Sequence, residues 1–177
     1  SAIGSYLCGN PGLDAISMTG STETGISIYK KAAENLTRVF LELGGNDAFI
    51  VLDDADVDLA VDEAIGNRLG NAGQICCASK RFIVDKSLAN EFAEKLAEKL
   101  SHIKMGDPMD PSCTVGSLIS ERAAKQVEEQ VNTCIAEGAH CLLGGKRYDR
   151  VFFQPTVLTD VTADMDVAKD MEIFGPV

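Results

Sequence analysis

Two short segments carry side chains that together suit acyl chemistry. Residues 71–81 place Cys76 in a glycine-bearing turn between a predicted helix and a predicted strand, and residues 41–46 place Glu42 after an apolar run. A cysteine thiolate attacks carbonyl carbons readily, and a carboxylate can move protons to and from water. The pair therefore indicates an enzyme that forms an acyl group on a cysteine and releases it again.

Each of these residues also has an ordinary structural interpretation. A single cysteine usually packs as a small apolar side chain, and we expect this for Cys77, pointing away from Cys76. Gly73 would let the backbone bend so that N–H groups face the thiolate and an oxyanion. Glu42 is either an exposed residue at a strand end or a partly desolvated carboxylate that acts as a general base.

The two histidines raise a Cys-His hydrolase as a rival to this chemistry. His102 ends a predicted amphipathic helix, and His140 lies beside a predicted strand. Neither occurs in a turn typical of an active site, so we predict that both are incidental.

Two further segments suit a nucleotide ligand. Residues 20–25, Gly-Ser-Thr-Glu-Thr-Gly, lie between a predicted strand and a predicted helix whose N-terminus would favour a phosphate. The segment is not G-x-G-x-x-G, so an ordinary strand-to-helix turn fits it equally well. Residues 171–176 contain a carboxylate that could hold ribose hydroxyls and an aromatic ring that could line a nicotinamide pocket; alone, they would be interpreted as a loop.

Composition narrows the class of protein. The chain has 177 residues, a net charge of −11 and 45% hydrophobic residues, which together indicate a globular domain and argue against nucleic acid binding. No apolar run is long enough to span a membrane, and no signal peptide is visible. The six cysteines form no C-x-x-C pair, so we expect reduced thiols, a cytoplasmic location and no metal site.

Strands alternate with helices along the chain, which predicts an α/β fold: three layers, with a largely parallel sheet buried between helices. Ser21 and Ser120 are predicted to cap helices, and Gly138 to end one. The predicted strands are 15–18, 38–43, 48–52, 81–85, 139–143 and 151–158, and the predicted helices are 2–8, 22–35, 57–69, 87–102 and 121–137.

Four segments, in this order, resemble the motifs of the aldehyde dehydrogenase superfamily over almost the whole chain. The first resembles the turn that meets the cofactor pyrophosphate, the second the glutamate motif, the third the nucleophile motif and the fourth the cofactor-clamping motif. They are Thr-Gly-Ser-Thr at 19–22 with Gly25, Leu-Glu-Leu-Gly-Gly at 41–45, Gly-Gln-Ile-Cys at 73–76 and Glu-Ile-Phe-Gly-Pro-Val at 172–177.

The resemblance implies roles for particular residues. Cys76 would be the nucleophile, with its backbone N–H helping to hold the oxyanion, and Glu42 would activate the water that releases the acid. NAD or NADP would be the cofactor, and the sequence leaves the choice between them open. The implied cofactor contacts are Gly20, Ser21, Gly25, Leu43, Gly44, Glu172 and Phe174.

The resemblance also implies the organisation of the chain and its partners. Residues 1–45 would be the C-terminal remnant of a dinucleotide-binding domain, and residues 46–177 a catalytic domain cut at its C-terminus. We expect a small aldehyde substrate, a homodimer or homotetramer for the full-length parent, and no turnover from the isolated piece.

Residues 42–51 and 80–84 most resemble the bacterial succinate-semialdehyde dehydrogenase branch. Where some enzymes with that activity carry a substrate-binding Arg, this sequence has Gly70, with Arg68 two residues earlier. An acylating or ester-hydrolysing variant of the scaffold and a non-catalytic protein that keeps the fold are the alternatives. We expect Cys76 and Glu42 to share one pocket.

Overall fold

A computed structural model describes residues 2–177. The chain forms two compact units, Ser1–Gly45 and Asn46–Val177, and each is described by itself. Within the described residues, no helix is long and apolar enough to cross a membrane.

The first unit is a parallel strand pair with helices. β1 and β2 run in register, with Ala15 opposite Arg38 and Thr19 opposite Glu42. Ser21 accepts a hydrogen bond from the Thr24 N–H at 3.3 Å and so begins α2, as predicted. The elements are α1 (Ala2–Cys8), β1 (Ala15–Thr19), α2 (Thr22–Ala32), a 3-10 turn (Ala33–Asn35) and β2 (Arg38–Glu42).

The expectation that these strands are buried on both faces is wrong for this chain. Exposed and half-buried residues alternate along β1 and β2, and Phe40 is 61% exposed. The half-buried side chain of Leu41 lies toward Gly25 of α2, whereas its neighbours point to the other face. One face of this two-stranded sheet is therefore covered by a helix of the unit and the other is open.

The second unit contains the remaining elements and the main hydrophobic core. They are α3 (Val57–Leu69), α4 (Ala89–Ser101) and α5 (Glu121–Glu137), with strands β3 (Ala48–Val51), β4 (Arg81–Val84), β5 (His140–Leu143), β6 (Arg147–Tyr148), β7 (Phe152–Phe153) and β8 (Val157–Thr159), and 3-10 turns at Gly70–Gly73 and Asp166–Ala168.

Parallel pairing in this unit is found between β3 and β4, while β5 pairs with β8 and β6 with β7 in antiparallel fashion. The single strand predicted over 151–158 is wrong. Pro155, which has no N–H, separates β7 from β8, and the next N–H, of Thr156, donates to the carbonyl of Pro176 at 2.8 Å. The predicted α/β class holds, with parallel pairs in both units.

The helices present their apolar faces to one core. The predicted amphipathic character of α4 is confirmed, because Phe92, Leu96 and Leu100, which stand four residues apart, are all buried. Ser120 caps α5, and Gly138, with a φ of 116°, ends it, both as predicted.

The apolar patterns of α3 and α5 predict Leu59 and Ile135 as core contacts, but both side chains are exposed. Leu59 of α3 is 59% exposed, because the buried face of that helix is set by Val61 and Ala64, and two residues of rotation carry Leu59 to the other side. Ile135 of α5 is 42% exposed, and its neighbour Cys134 takes the buried position.

Candidate active site

The cysteine turn, which we define as residues 70–80, begins where α3 ends. Asn71, Ala72 and Gly73 have φ values of 50°, 56° and 76°, so three successive residues adopt left-handed backbone and reverse the chain tightly. A Cβ atom at Gly73 would lie 2.2 Å from the carbonyl oxygen of Gly175, which only glycine avoids. The predicted bend at Gly73 is confirmed, and its cause is a backbone-to-backbone contact.

Both polar atoms of the Gln74 side-chain amide form hydrogen bonds that stabilise this turn. Its Nε2 donates to the carbonyls of Asn71 at 2.9 Å and Ser117 at 3.4 Å, while its Oε1 accepts from the Ile119 N–H at 2.8 Å. The amide thus connects the turn to the loop that precedes α5.

Cys76 is exposed at the outer side of the turn. Within residues 2–177, its backbone N–H donates to no acceptor, so that donor is available to an oxyanion. Cys77 is exposed as well, so the prediction that it packs inward is wrong; in this short loop both neighbouring side chains lie outside the core.

Lys80 is the last residue of the cysteine turn, and its ammonium group lies against the backbone of that turn. Its side chain is 3% exposed, and its Nζ donates to the carbonyls of Ile75 at 3.2 Å, Cys76 at 2.8 Å and Ala78 at 3.0 Å. The same ammonium forms an ion pair with Glu172 at 3.5 Å. One buried cation therefore contacts both the nucleophile candidate and a cofactor-contact candidate.

Arg68, at the end of α3, holds the C-terminal segment, which we define as residues 172–177. Its guanidinium donates to the carbonyls of Ile173 at 2.7 Å and Val177 at 2.8 Å, and also to that of Gly175. Burial lowers the pKa of Arg68 to about 10, and the charge of Glu172 acts in the opposite direction. The guanidinium is thus charged at neutral pH, buried and directed at backbone carbonyls, so it is not positioned to bind a substrate.

The C-terminal segment presents Glu172 and Phe174. Gln130 of α5 donates to the carbonyl of Glu172 at 2.8 Å. The Oε1 atom of Glu172 is buried and accepts no hydrogen bond from residues 2–177, although the ammonium is nearby. Phe174 is 43% exposed, so its ring can contact another molecule.

Glu42 ends β2 in the first unit. The carbonyl of Glu42 accepts from the Gly20 N–H at 3.0 Å, which closes the strand pair at the predicted nucleotide turn. The carboxylate is exposed, so the expected partial desolvation is not observed; the alternation along β2 places it on the open face.

The remaining cofactor-contact candidates lie beside Glu42 in that unit. Ser21 caps α2, and Leu43 and Gly44 follow β2 directly. A Cβ atom at Gly25 would lie 2.7 Å from the Leu43 side chain, so glycine allows α2 to approach the end of the strand closely.

The sequence-predicted residues therefore fall into two groups, one in each unit. The second unit brings Cys76, Glu172 and Phe174 to one cluster, which Lys80 and Arg68 organise. Neither cation was singled out for this role from the sequence. Arg68 did carry a signal, because it stands seven residues after Val61 in the buried stripe of α3, where a charge needs partners.

Within the described residues, no group of three or more His, Cys, Asp or Glu is arranged to hold a metal ion.

Both histidines lie outside this cluster. His102 is the exposed C-cap of α4, and His140 is an exposed residue of β5 opposite Thr159.

Comparison with known proteins identifies the family of this chain. The profile described as "Aldehyde dehydrogenase family" matches residues 1–177. The chain is 44% identical over 177 residues to the succinate-semialdehyde dehydrogenase [NADP(+)] of Escherichia coli, covering 99% of this chain and 36% of that protein. It thus spans about a third of the length of such relatives.

Solved structures agree with this match. The succinate-semialdehyde dehydrogenase of Burkholderia pseudomallei superposes with a TM-score of 0.92 at 45% identity, over 99% of this chain and 36% of that one. A point mutant of the betaine aldehyde dehydrogenase of Staphylococcus aureus, in complex with NAD+ and with a BME-modified cysteine, gives a TM-score of 0.94 at 38% identity, over 98% and 36%. The chain belongs to the aldehyde dehydrogenase family.

Proposed function

We propose that the complete protein oxidises an aldehyde to a carboxylic acid with NAD+ or NADP+, through a covalent intermediate on Cys76. The observation that carries this proposal is the cysteine turn: an exposed thiol, a backbone N–H without an acceptor, and Glu172 held next to the turn by Lys80. A relative whose solved structure has a chemically modified cysteine supports a reactive thiol in this family.

In the proposed reaction, the Cys76 thiolate attacks the aldehyde carbon and gives a thiohemiacetal, whose oxyanion accepts a hydrogen bond from the Cys76 N–H. A bound nicotinamide cofactor supplies the hydride acceptor. Once the hydride has left, Cys76 carries a thioester. Glu42 then takes a proton from a water molecule, the water attacks the thioester, and the acid leaves as the thiol is restored.

The residues of this chain fit such a cofactor. Within the part of the chain that the structure describes, the buried Glu172 Oε1 has no hydrogen-bond donor, and it would accept a hydrogen bond from a ribose hydroxyl. The exposed Phe174 ring would line the nicotinamide pocket. In the first unit, the Ser21 end of α2 would meet the pyrophosphate, with Gly20 directly before the cap and Gly25 in the first turn of the helix.

Leu43 and Gly44 would lie against the cofactor at the end of β2, where Gly44 presents no side chain. We assign residues 1–45 to the dinucleotide-binding domain and residues 46–177 to the catalytic domain, and the division of the chain into two compact units after Gly45 supports this proposal. Succinate semialdehyde or a similar small aldehyde is the proposed substrate, because several relatives carry that activity in their names.

The test uses the complete gene product with succinate semialdehyde and NADP+ or NAD+, followed by absorbance of the reduced cofactor. Cys76→Ala is expected to abolish cofactor reduction. Glu42→Gln is expected to give a burst of about one equivalent per site and then a rate at least about a hundredfold below the parent, because the thioester forms but water is not activated.

Two matched variants control for nonspecific damage. Cys77→Ala removes the adjacent exposed thiol, and Glu34→Gln removes an exposed carboxylate of the first unit; both are expected to retain full turnover. Turnover by Cys76→Ala at the parental rate would refute the mechanism.

The same assay distinguishes the alternative functions of this scaffold. Acceleration by coenzyme A would indicate acyl transfer, and ester hydrolysis without aldehyde oxidation would indicate an esterase. No reaction, with equal iodoacetamide labelling of all six cysteines, would indicate a non-catalytic protein. The homo-oligomer, the cytoplasmic location and the lack of turnover by residues 1–177 alone stay predictions.

A further inference from the structure

We propose that Lys80 is a positioning residue that couples the carboxylate of Glu172 to the backbone of the cysteine turn. A ligand that hydrogen-bonds to Glu172 would thereby change how rigidly the turn that carries Cys76 is held. The inference rests on the proposed function for the identity of that ligand, a ribose hydroxyl of the cofactor.

The first step is a count of donors. An ammonium group has three N–H donors and no acceptor. Lys80 directs its Nζ at three carbonyls, those of Ile75, Cys76 and Ala78, all within 3.2 Å. Its donors are therefore used up within the turn.

The second step concerns the carboxylate that faces the same ammonium. The Glu172 oxygen 3.5 Å from Nζ is buried and accepts no hydrogen bond from any residue that the structure describes. The donor count explains this pairing: Lys80 attracts Glu172 by charge but has no N–H left to give it. The carboxylate is held in place and still needs a donor, which is the state that a hydroxyl ligand would satisfy.

The third step is the environment of the pair. The Lys80 side chain is 3% exposed and that of Glu172 24% exposed, so their attraction is screened less than that of a surface pair. Gln130 fixes the Glu172 backbone, and the Arg68 guanidinium fixes the carbonyl of the next residue, Ile173. Because the backbone at Glu172 and Ile173 is anchored, a change at the carboxylate is transmitted through the ammonium to the three carbonyls.

This geometry argues against Lys80 as a general base. A neutral amine has two N–H donors and a lone pair, and the lone pair would face a carbonyl oxygen in this arrangement. Lys80 therefore acts through the turn and not on the substrate.

The experiment measures amide hydrogen exchange of peptides covering residues 74–80 by mass spectrometry, first without cofactor. Glu172→Gln is expected to change exchange in the turn by about tenfold, a usual size for coupling between sites. In the background of Lys80→Met, or of Lys80→Gln, the same Glu172→Gln change is expected to have no further effect.

Two Lys80 variants keep the test decisive if one fails to fold. Met keeps the length and removes the charge, and Gln keeps a donor and removes the charge; both eliminate the attraction to Glu172. Exposed residues provide matched controls: Lys86→Met and Glu94→Gln are expected to leave exchange in the turn unchanged. Equal effects of Glu172→Gln with and without Lys80 would overturn the proposal.

A second arm adds NADP+ or NAD+ to the complete gene product. The cofactor is expected to slow exchange in residues 74–80 of the parent by about tenfold, and to do so much less in Lys80→Gln. An equal slowing in both proteins would overturn the coupling. Failure of the proposed function is distinguishable, because it would appear as parental turnover by Cys76→Ala while the cofactor-free exchange result stands.

Discussion

Gly73 and Gly175 meet backbone to backbone, so closely that a Cβ atom at Gly73 would lie 2.2 Å from the Gly175 carbonyl oxygen and 2.5 Å from its carbonyl carbon. On its other side, Gly175 packs against Val127 of α5. The turn that carries the nucleophile candidate and the segment that carries Glu172 are therefore packed directly against each other.

We expect Gly73→Ala to destabilise the protein by more than about 3 kcal/mol, since it combines a backbone clash with a φ of 76°. Urea unfolding measures this directly. Gly66→Ala is the matched control: nothing lies within 4 Å of a Cβ atom there, in the middle of α3, so stability should rise by about 0.5–1 kcal/mol. Equal changes in the free energy of unfolding for Gly73→Ala and Gly66→Ala would contradict the backbone contact between Gly73 and Gly175.

The elements and their ends were largely predictable because their signals are local. Asp56 and Ser120 begin helices, Gly138 ends one, and the spacing of Phe92, Leu96 and Leu100 marks a buried helical face. Each of these signals lies within a few residues of the feature it produces.

The support beneath the site was not predictable in the same way. Arg68 donates to Val177, 109 residues away, and Gln74 to Ser117, 43 residues away, in both cases at a backbone carbonyl. Every residue has a carbonyl, so such a partner leaves no pattern in the sequence. The chemical residues were identified from motifs, whereas the residues that hold them required coordinates.

Arg68→Met should lower the free energy of unfolding by more than about 3 kcal/mol, because it leaves several buried carbonyls without donors. Since the pKa of Arg68 is about 10, the guanidinium is charged from pH 6 to 8 and the loss should be the same across that range. Arg122→Met, at an exposed residue that has no ion-pair partner among residues 2–177, should stay within about 0.5 kcal/mol of the parent. A loss below 1 kcal/mol for Arg68→Met would mean that water replaces the guanidinium.

Gln74→Glu tests the brace of the cysteine turn. The change keeps the acceptor for Ile119 but replaces the donor to Asn71 and Ser117 with a carboxylate oxygen. We expect a loss of about 1–2 kcal/mol in urea unfolding, and faster hydrogen exchange confined to the turn. Gln126→Glu, on the exposed side of α5, should leave both measurements unchanged. Exchange that rises uniformly over the whole second unit would argue against a local brace.

Glu121 gives the protein an acid-dependent contribution to stability. Hydrogen bonds from Arg150 and then Lys125 hold the pKa of the Glu121 carboxyl below its usual value of 4.5. A carboxyl with a depressed folded-state pKa stabilises the fold above its unfolded pKa, and that stabilisation is lost as the pH falls through the folded value. The stability difference between the parent and Glu121→Gln should therefore be present at neutral pH and shrink below pH 4.5. In an Arg150→Gln background, which removes the main partner, the difference should be smaller and less dependent on pH, and an unchanged pH dependence there would assign the effect to another group.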